Sequence, residues 1–493
     1  MKKPLAAWRR IPRAGRACLL IAFVNAAVWG VVVPPFQAPD EIAHFGYAQY
    51  LAQTGKAPSQ GPGAQYSPQE QAALENMYFF EVIGHPGERG VLTRTEDSAL
   101  RAALVGKNPL GEGGVSSVTN QPPLYYALEA IPYWLSPSHE ILNRLVFMRL
   151  LSALLSACTV LVVFMFLREL LPGSPWAWTV GALVVAFQPM VDFIAAGVQG
   201  DNLLYLASAL TFLLLLRAYR RGLTMRRAVA IGAVVAVGTL AKLTFIALLP
   251  GIALALLLLA WRAMPAGRAQ ALRALGTAVA IAAVPVLIYG LLNLTLWHRG
   301  TITAGGVAGA TNSSLPGGGS ISPRETLDYT WELYLPRLWF MHHAYFTSYP
   351  LIAIWLNESV GHFGWLDYNF PAWVYQDAHK IFYVLAVLAL IGVVRARAKV
   401  RPLLPIFACF AVMAVGLLGA IGYAGIRYQL NNGTQFVQAR YLFPLLVFYG
   451  LLMVMAARGV GRRWAPALGG ALVVLAMVHG LFAETLTISR YYG

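Results

Sequence analysis

Two adjacent carboxylates and an imidazole stand where an apolar run of membrane length ends. Ala17 to Val33 is apolar apart from Asn25, and the chain then reads Pro34-Pro35-Phe36-Gln37-Ala38-Pro39-Asp40-Glu41-Ile42-Ala43-His44-Phe45. Ionisable groups at a bilayer edge are costly to hold there, which makes them functional candidates. A carboxylate in a half-dehydrated site gains basicity and can take a proton from a hydroxyl. Asp40 leads as such a base. Glu41 stands second, open between a metal or acceptor contact and a plain acid at a helix N-terminus. Asp40, His44, Tyr47 and Leu51 recur at spacings of 4, 3 and 4. That predicts an amphipathic helix along the outer surface with these side chains on one face. Pro39 and the acids would also suit an ordinary helix start.

Other residues can join them. Gln199-Gly200-Asp201-Asn202 begins an apolar run, so Asp201 is either an N-cap or a second carboxylate facing Asp40. In the second case it would hold an acceptor hydroxyl or a divalent cation, Mg²⁺ or Mn²⁺ by the oxygen donors. No metal is required, and no metal-ligand spacing stands out. Arg440 in Gln438-Ala439-Arg440-Tyr441-Leu442-Phe443-Pro444, with Arg144 and Arg149, sits at the outer start of a span. Each either snorkels to headgroups or clamps a phosphate with its guanidinium fork. Lys242 and Arg427 are further candidates of this kind. Gln121-Pro122-Pro123-Leu124-Tyr125-Tyr126 is a rigid turn, because two prolines forbid a helix through it. It either re-enters the membrane with interfacial tyrosines or closes the floor of a site. His342, His343, His362 and Trp365 lie in an aromatic-rich stretch, as polar partners in a cleft or an interfacial belt.

These residues need elements to position them. The chain has 493 residues, 58% hydrophobic and 12% charged. Its apolar runs suffice to cross a hydrocarbon core of roughly 30 Å, and their continuity excludes a barrel. The expected fold is an all-α polytopic membrane bundle of about eleven spans, range 10–13. They lie near 17–35, 143–167, 176–191, 202–217, 228–241, 243–261, 274–296, 381–394, 403–424, 441–457 and 465–483. The pair at 228–261 has only Lys242 to Thr244 as a connection, so it forms a tight hairpin or a partly re-entrant pair. With the N-terminus inside, the inner segments hold 22 of the 37 basic residues and one of the 21 acids, Glu169. The positive-inside rule therefore places the N-terminus in the cytoplasm, and the net charge of +16 needs no nucleic-acid partner. The basic N-terminus and its apolar run read as a retained first helix.

The domain reading follows. Residues 1–16 are a cytoplasmic basic segment, and 17–296 an N-terminal membrane module carrying an outer loop at 36–142. Residues 297–380 are a second outer loop, and 381–493 a C-terminal membrane module. Both loops should hold short interfacial helices. Ser67-Pro68-Gln69-Glu70 is a capping-box start ahead of 71–82. The Gly/Ser/Thr-rich 301–322 is expected to be mobile. Cys18, Cys158 and Cys409 fall in spans and form no disulfide framework.

Taken in order, the motifs resemble the GT-C superfamily of membrane glycosyltransferases, which use polyprenyl- or dolichyl-phosphate sugars. The resemblance rests on Pro39-Asp40-Glu41 after the first span, the Gln121 to Tyr126 turn, Asp201, and Arg440-Tyr441-Leu442-Phe443-Pro444. With His44, Ser359-Val360-Gly361-His362-Phe363-Gly364-Trp365 and Gln438-Ala439-Arg440-Tyr441, the chain also resembles a bacterial family of predicted membrane proteins placed near GT-C. The resemblance implies inverting sugar transfer from a polyprenyl-phosphate donor to a glycan, lipid or protein acceptor of the cell envelope. The enzyme would be a monomer among the lipids of the bacterial inner membrane, with its site outside. Asp40 matches the base, Glu41 its understudy, Asp201 the second acid and Arg440 a donor-phosphate contact. Ala439 stands where a Gly is expected. A transporter or flippase of a lipid-phosphate-linked precursor, or an assembly subunit, are the rival classes. A transporter would place its acids mid-span at broken helices.

Overall fold

A computed structural model describes residues 11–58, 65–111, 116–119, 121–296, 321–341, 343–435 and 437–493. The glycine-rich 301–320 and His342 lie outside the described residues. Each expected span falls on a helix or a helix pair. Among the described residues, nine helices are long and apolar enough to cross a membrane. The third expected span is a pair, Pro175–Ala186 and Pro189–Ala195, bent by 61°, which makes ten if it crosses as one. Pro189 has no amide to continue the ladder, and the Gln188 side chain caps the second piece at Val191 instead. Met225–Ala241, with 17 residues, is shorter than those nine. It ends at Lys242, which is fully extended, before a tight turn of helix at Leu243–Leu248 leads into Leu249–Ala263.

The architecture is an all-α bundle with one two-residue hairpin, in which His362 pairs with Asn369 and Phe363 with Tyr368. Arg13–Val32 packs along Ile141–Leu170, and Met225–Ala241 along Arg268–Thr295. Leu20, Val24 and Val31 face outward from the first span, as a lipid-facing side requires. Trp29 on its other side is fully buried between Phe193 and Phe363, ring centroids 6.1 and 5.9 Å away. One aromatic cluster thus joins the first span, the bent pair and the hairpin.

The helix after the first span differs from expectation. Glu41–Thr54 is not an amphipathic surface helix: eight of its residues, Glu41 and Ala43 to Gln49, are buried. It packs against Leu124–Leu135 on one side, and Gly46 lies against Glu70 and Tyr66 on another. The helix at Pro68–Asn76 starts at Ser67, whose hydroxyl accepts from the Glu70 amide at 3.0 Å. The box is only half made, because the Glu70 carboxyl is buried with neither oxygen partnered. Complete boxes occur at Thr93/Glu96 and Ser322/Glu325.

Candidate active site

The turn that delivers Asp40 is held by its neighbour. Glu41 is 0% exposed and fully hydrogen-bonded. Arg149 grips it with Nε at 2.8 Å and Nη2 at 2.6 Å, and the amides of Phe36 and Val198 donate at 2.8 and 3.0 Å. Arg149 also donates to the carbonyls of Gly30, Val33 and Pro34, three groups left open where the first span ends. Gly197 lets the two turns approach: a Cβ there would lie 2.4 Å from the Ala38 Cβ.

Asp40 therefore emerges in a left-handed conformation, φ 59°, which Asp tolerates better than most residues. Its side chain does not cap the helix. It accepts instead from Arg440 Nη2 at 2.7 Å, and it keeps 38% of its side-chain surface exposed while Arg440 keeps 6%. Arg440 stands at the head of Ala439–Leu445. The Tyr205 hydroxyl donates to its carbonyl, and the Ala439 amide donates to Glu358 Oε2 at 2.9 Å. Ala439, where a Gly was expected, is thus fixed by its amide.

A second ion pair lies beside the first. Lys242 Nζ donates to Asp201 Oδ1 at 2.7 Å, from the extended break before Leu243–Leu248. Gln121 supports that break: its side chain accepts from the Leu243 amide at 3.3 Å, and its carbonyl accepts from the Tyr47 hydroxyl. His44 shares a hydrogen bond with the Tyr126 hydroxyl at 3.0 Å, and the Tyr125 ring stands edge-on to it. Asp201 Oδ2, Gln199 Nε2 and Arg440 Nε are buried with no partner. Orphaned polar atoms of this kind mark a place shaped for another group or for water.

Charge tunes the groups outside the spans. Burial pushes the Asp40 carboxyl up, but Arg440, His44 and Lys242 outweigh it and hold it below the usual carboxylate range, the reverse of the raised basicity expected at this position. Burial, helped by Lys242, pushes the His44 imidazole down to about 4 against the pull of Asp40 and Asp201. His44 is then neutral near pH 7 and can both donate and accept.

Asp40, His44, Gln121, Tyr125, Asp201, Lys242, Arg440 and Tyr441 come together. Tyr441 lies under the Arg440 guanidinium, 5.6 Å from it. Glu41 and Arg149 form the support beneath. The candidates Arg144, His362 and Trp365, and with them the acid Asp192, sit apart from this cluster. Arg144 contacts Tyr133 and His139. His362 bonds the Leu366 carbonyl within the hairpin turn, and Trp365 packs edge-on to Phe79. Asp192 is tied to Asn25 at 2.8 Å. Glu358 and Gln199 are site residues that the pattern alone did not single out for chemistry, although each borders or lies within a quoted motif.

A divalent cation does not fit this donor set. Asp40 and Asp201 each already face a protein cation, and no group of three metal-ligating side chains occurs among the described residues.

The family of predicted membrane proteins designated DUF2142 matches residues 23–449. The chain belongs to it. No curated protein matches this DUF2142 chain. Among solved structures it is similar to ArnT from Cupriavidus metallidurans, at 14% identity and TM-score 0.48, covering 97% of this chain and 78% of that one. It is similar to the Archaeoglobus fulgidus oligosaccharyltransferase at 14% identity and TM-score 0.47, covering 97% and 56%. It is also similar to the arabinosyltransferase EmbB from Mycobacterium smegmatis, at 14% and TM-score 0.39, covering 99% and 42%. The DUF2142 chain thus spans little over half the length of the Archaeoglobus protein.

Proposed function

We propose that the chain is a membrane glycosyltransferase that moves a sugar from a polyprenyl-phosphate donor to a cell-envelope acceptor. The observation that carries this is the Asp40–Arg440 pair. It sets a reachable, ionised carboxylate beside a buried guanidinium. Lys242 and Asp201 form a second pair next to it, from a broken helix. A base and two cations are what displacement of a phosphate leaving group requires.

In this mechanism the acceptor O–H gives its proton to Asp40. The freed oxygen pair attacks the anomeric carbon from the face opposite the phosphate, and a new C–O bond forms. The old bond to the phosphate oxygen breaks, and its electron pair leaves with the lipid phosphate. Arg440 and Lys242 hold that charge. One displacement inverts the anomeric configuration. His44 and Gln199 orient the sugar hydroxyls. Orientation follows the charge pattern, with the 36–142 loop and the site outside the bacterial inner membrane. No divalent cation takes part, so chelation should leave turnover unchanged.

The test supplies purified chain with a panel of polyprenyl-phosphate sugars and follows donor turnover. Asp40→Asn should lower turnover by about 10²–10⁴-fold with folding intact. Wild-type turnover by Asp40→Asn on an active donor would refute the mechanism.

A further inference from the structure

We propose that a second cavity, separate from the Asp40 cluster, binds an anionic saccharide through Arg144. Four arginines are buried among the described residues, namely Arg144, Arg149, Arg440 and Arg490. Three of them face acids: Glu41, Asp40 and Asp367. Arg144 is only 3% exposed, yet its partners are the Tyr133 hydroxyl and His139 Nδ1, and its Nε has none. A buried guanidinium without a counter-ion is costly to hold, and a bound anion removes that cost.

The cavity beside it can admit such a group. Its volume is about 580 Å³, and Arg144, His139, Trp134, Gln53 and Lys107 line it. Its acid, Glu140, is already paired to Arg101, which also holds Asp97. Trp134 is 52% exposed, and Arg144 lies 5.5 Å from its ring centroid. An exposed indole next to a cation, with amide side chains around it, suits a sugar ring bearing a carboxylate or phosphate.

The cavity sits far from Asp40. Gln53 lies in the last turn of the helix that Asp40 precedes, so at 1.5 Å per residue the two lie roughly 20 Å apart. One monosaccharide cannot fill both. On the transfer reading proposed above, the cavity holds a charged part of an extended acceptor chain while its end reaches Asp40.

The test is direct binding to the full detergent-solubilised chain, read by titration calorimetry without any donor. The probes are tetragalacturonate, neutral maltotetraose and inorganic phosphate. Tetragalacturonate should bind at least tenfold tighter than maltotetraose. Arg144→Gln should weaken it at least tenfold, Trp134→Ala several-fold, and Asp40→Asn not at all. Trp134→Ala decides the matter if Arg144→Gln fails to fold. Equal binding of acidic and neutral probes, or unchanged binding by the variants, would overturn the proposal. Displacement by phosphate at equal concentration would overturn the saccharide assignment. Lost binding with transfer retained removes the anchor alone. Binding retained in a chain inactive with every donor supports the anchor and removes the transfer reading.

Discussion

Adjacent residues of the same chemistry end in opposite roles here. Asp40 is reachable and shares one bond with Arg440, while Glu41 is sealed under Arg149 and two amides. Glu41→Gln removes one partner of a buried pair and should cost about 3–5 kcal/mol. The measurement is a denaturation midpoint in detergent, which Asp40→Asn should lower less, because Asp40 is part-exposed and Asp201 also stands near Arg440. Glu129 offers a test by pH. Burial pushes its carboxyl up to about 8, and Oε2 has no partner. Below about pH 4.5 both folded and unfolded chains hold the proton; between there and 8 only the folded chain does. Stability from this group therefore falls as pH rises through that window. His44 acts oppositely, but only below its ordinary value of 6.5. Between pH 6.5 and 8 the melting temperature of Glu129→Gln should rise relative to wild type. A constant difference would show that Glu129 is already ionised.

At the scale of elements, the spans were readable because an apolar run long enough to cross carries its own signal. Burial of Glu41–Thr54 was not readable. Its Asp40, His44, Tyr47 spacing looks like a surface face, and the partners that cover it are Leu124–Leu135, far along the chain, and Gln69 and Glu70 of the nearer Pro68–Asn76. The candidate residues could be named individually, yet their pairing could not. Arg149 and Glu41 are 108 positions apart, and nothing local distinguishes a snorkelling arginine from a paired one. Likewise Arg144 and Arg440 carry the same sequence context of an outer helix start, but only one reaches Asp40. Gly197 tests how the turns cooperate. A Cβ there meets Ala38, so Gly197→Ala should push the 34–41 turn away from its seat. Overpacking of this kind costs about 1–3 kcal/mol. Turnover should fall more than stability, because Asp40 moves with the turn.

For the whole molecule, the charge pattern predicts an orientation that labelling can test. Ser98 and Lys399 are both exposed, on the 36–142 loop and at the basic 395–401 turn. A membrane-impermeant thiol reagent on intact cells should modify Ser98→Cys and spare Lys399→Cys. The reverse result would invert the topology. The span of the Asp40–Arg440 bond has a consequence for how the protein is made. Its partners are 400 residues apart, whereas Arg149 finds Glu41 after 108. At about 5–20 residues per second, Arg149 follows Glu41 out of the ribosome by roughly 5–20 s, and Arg440 follows Asp40 by roughly 20–80 s. The staple under the site thus meets a waiting partner early in synthesis. The Asp40–Arg440 pair closes only when the chain is nearly complete, so a half-made copy in the membrane holds the staple without the pair above it.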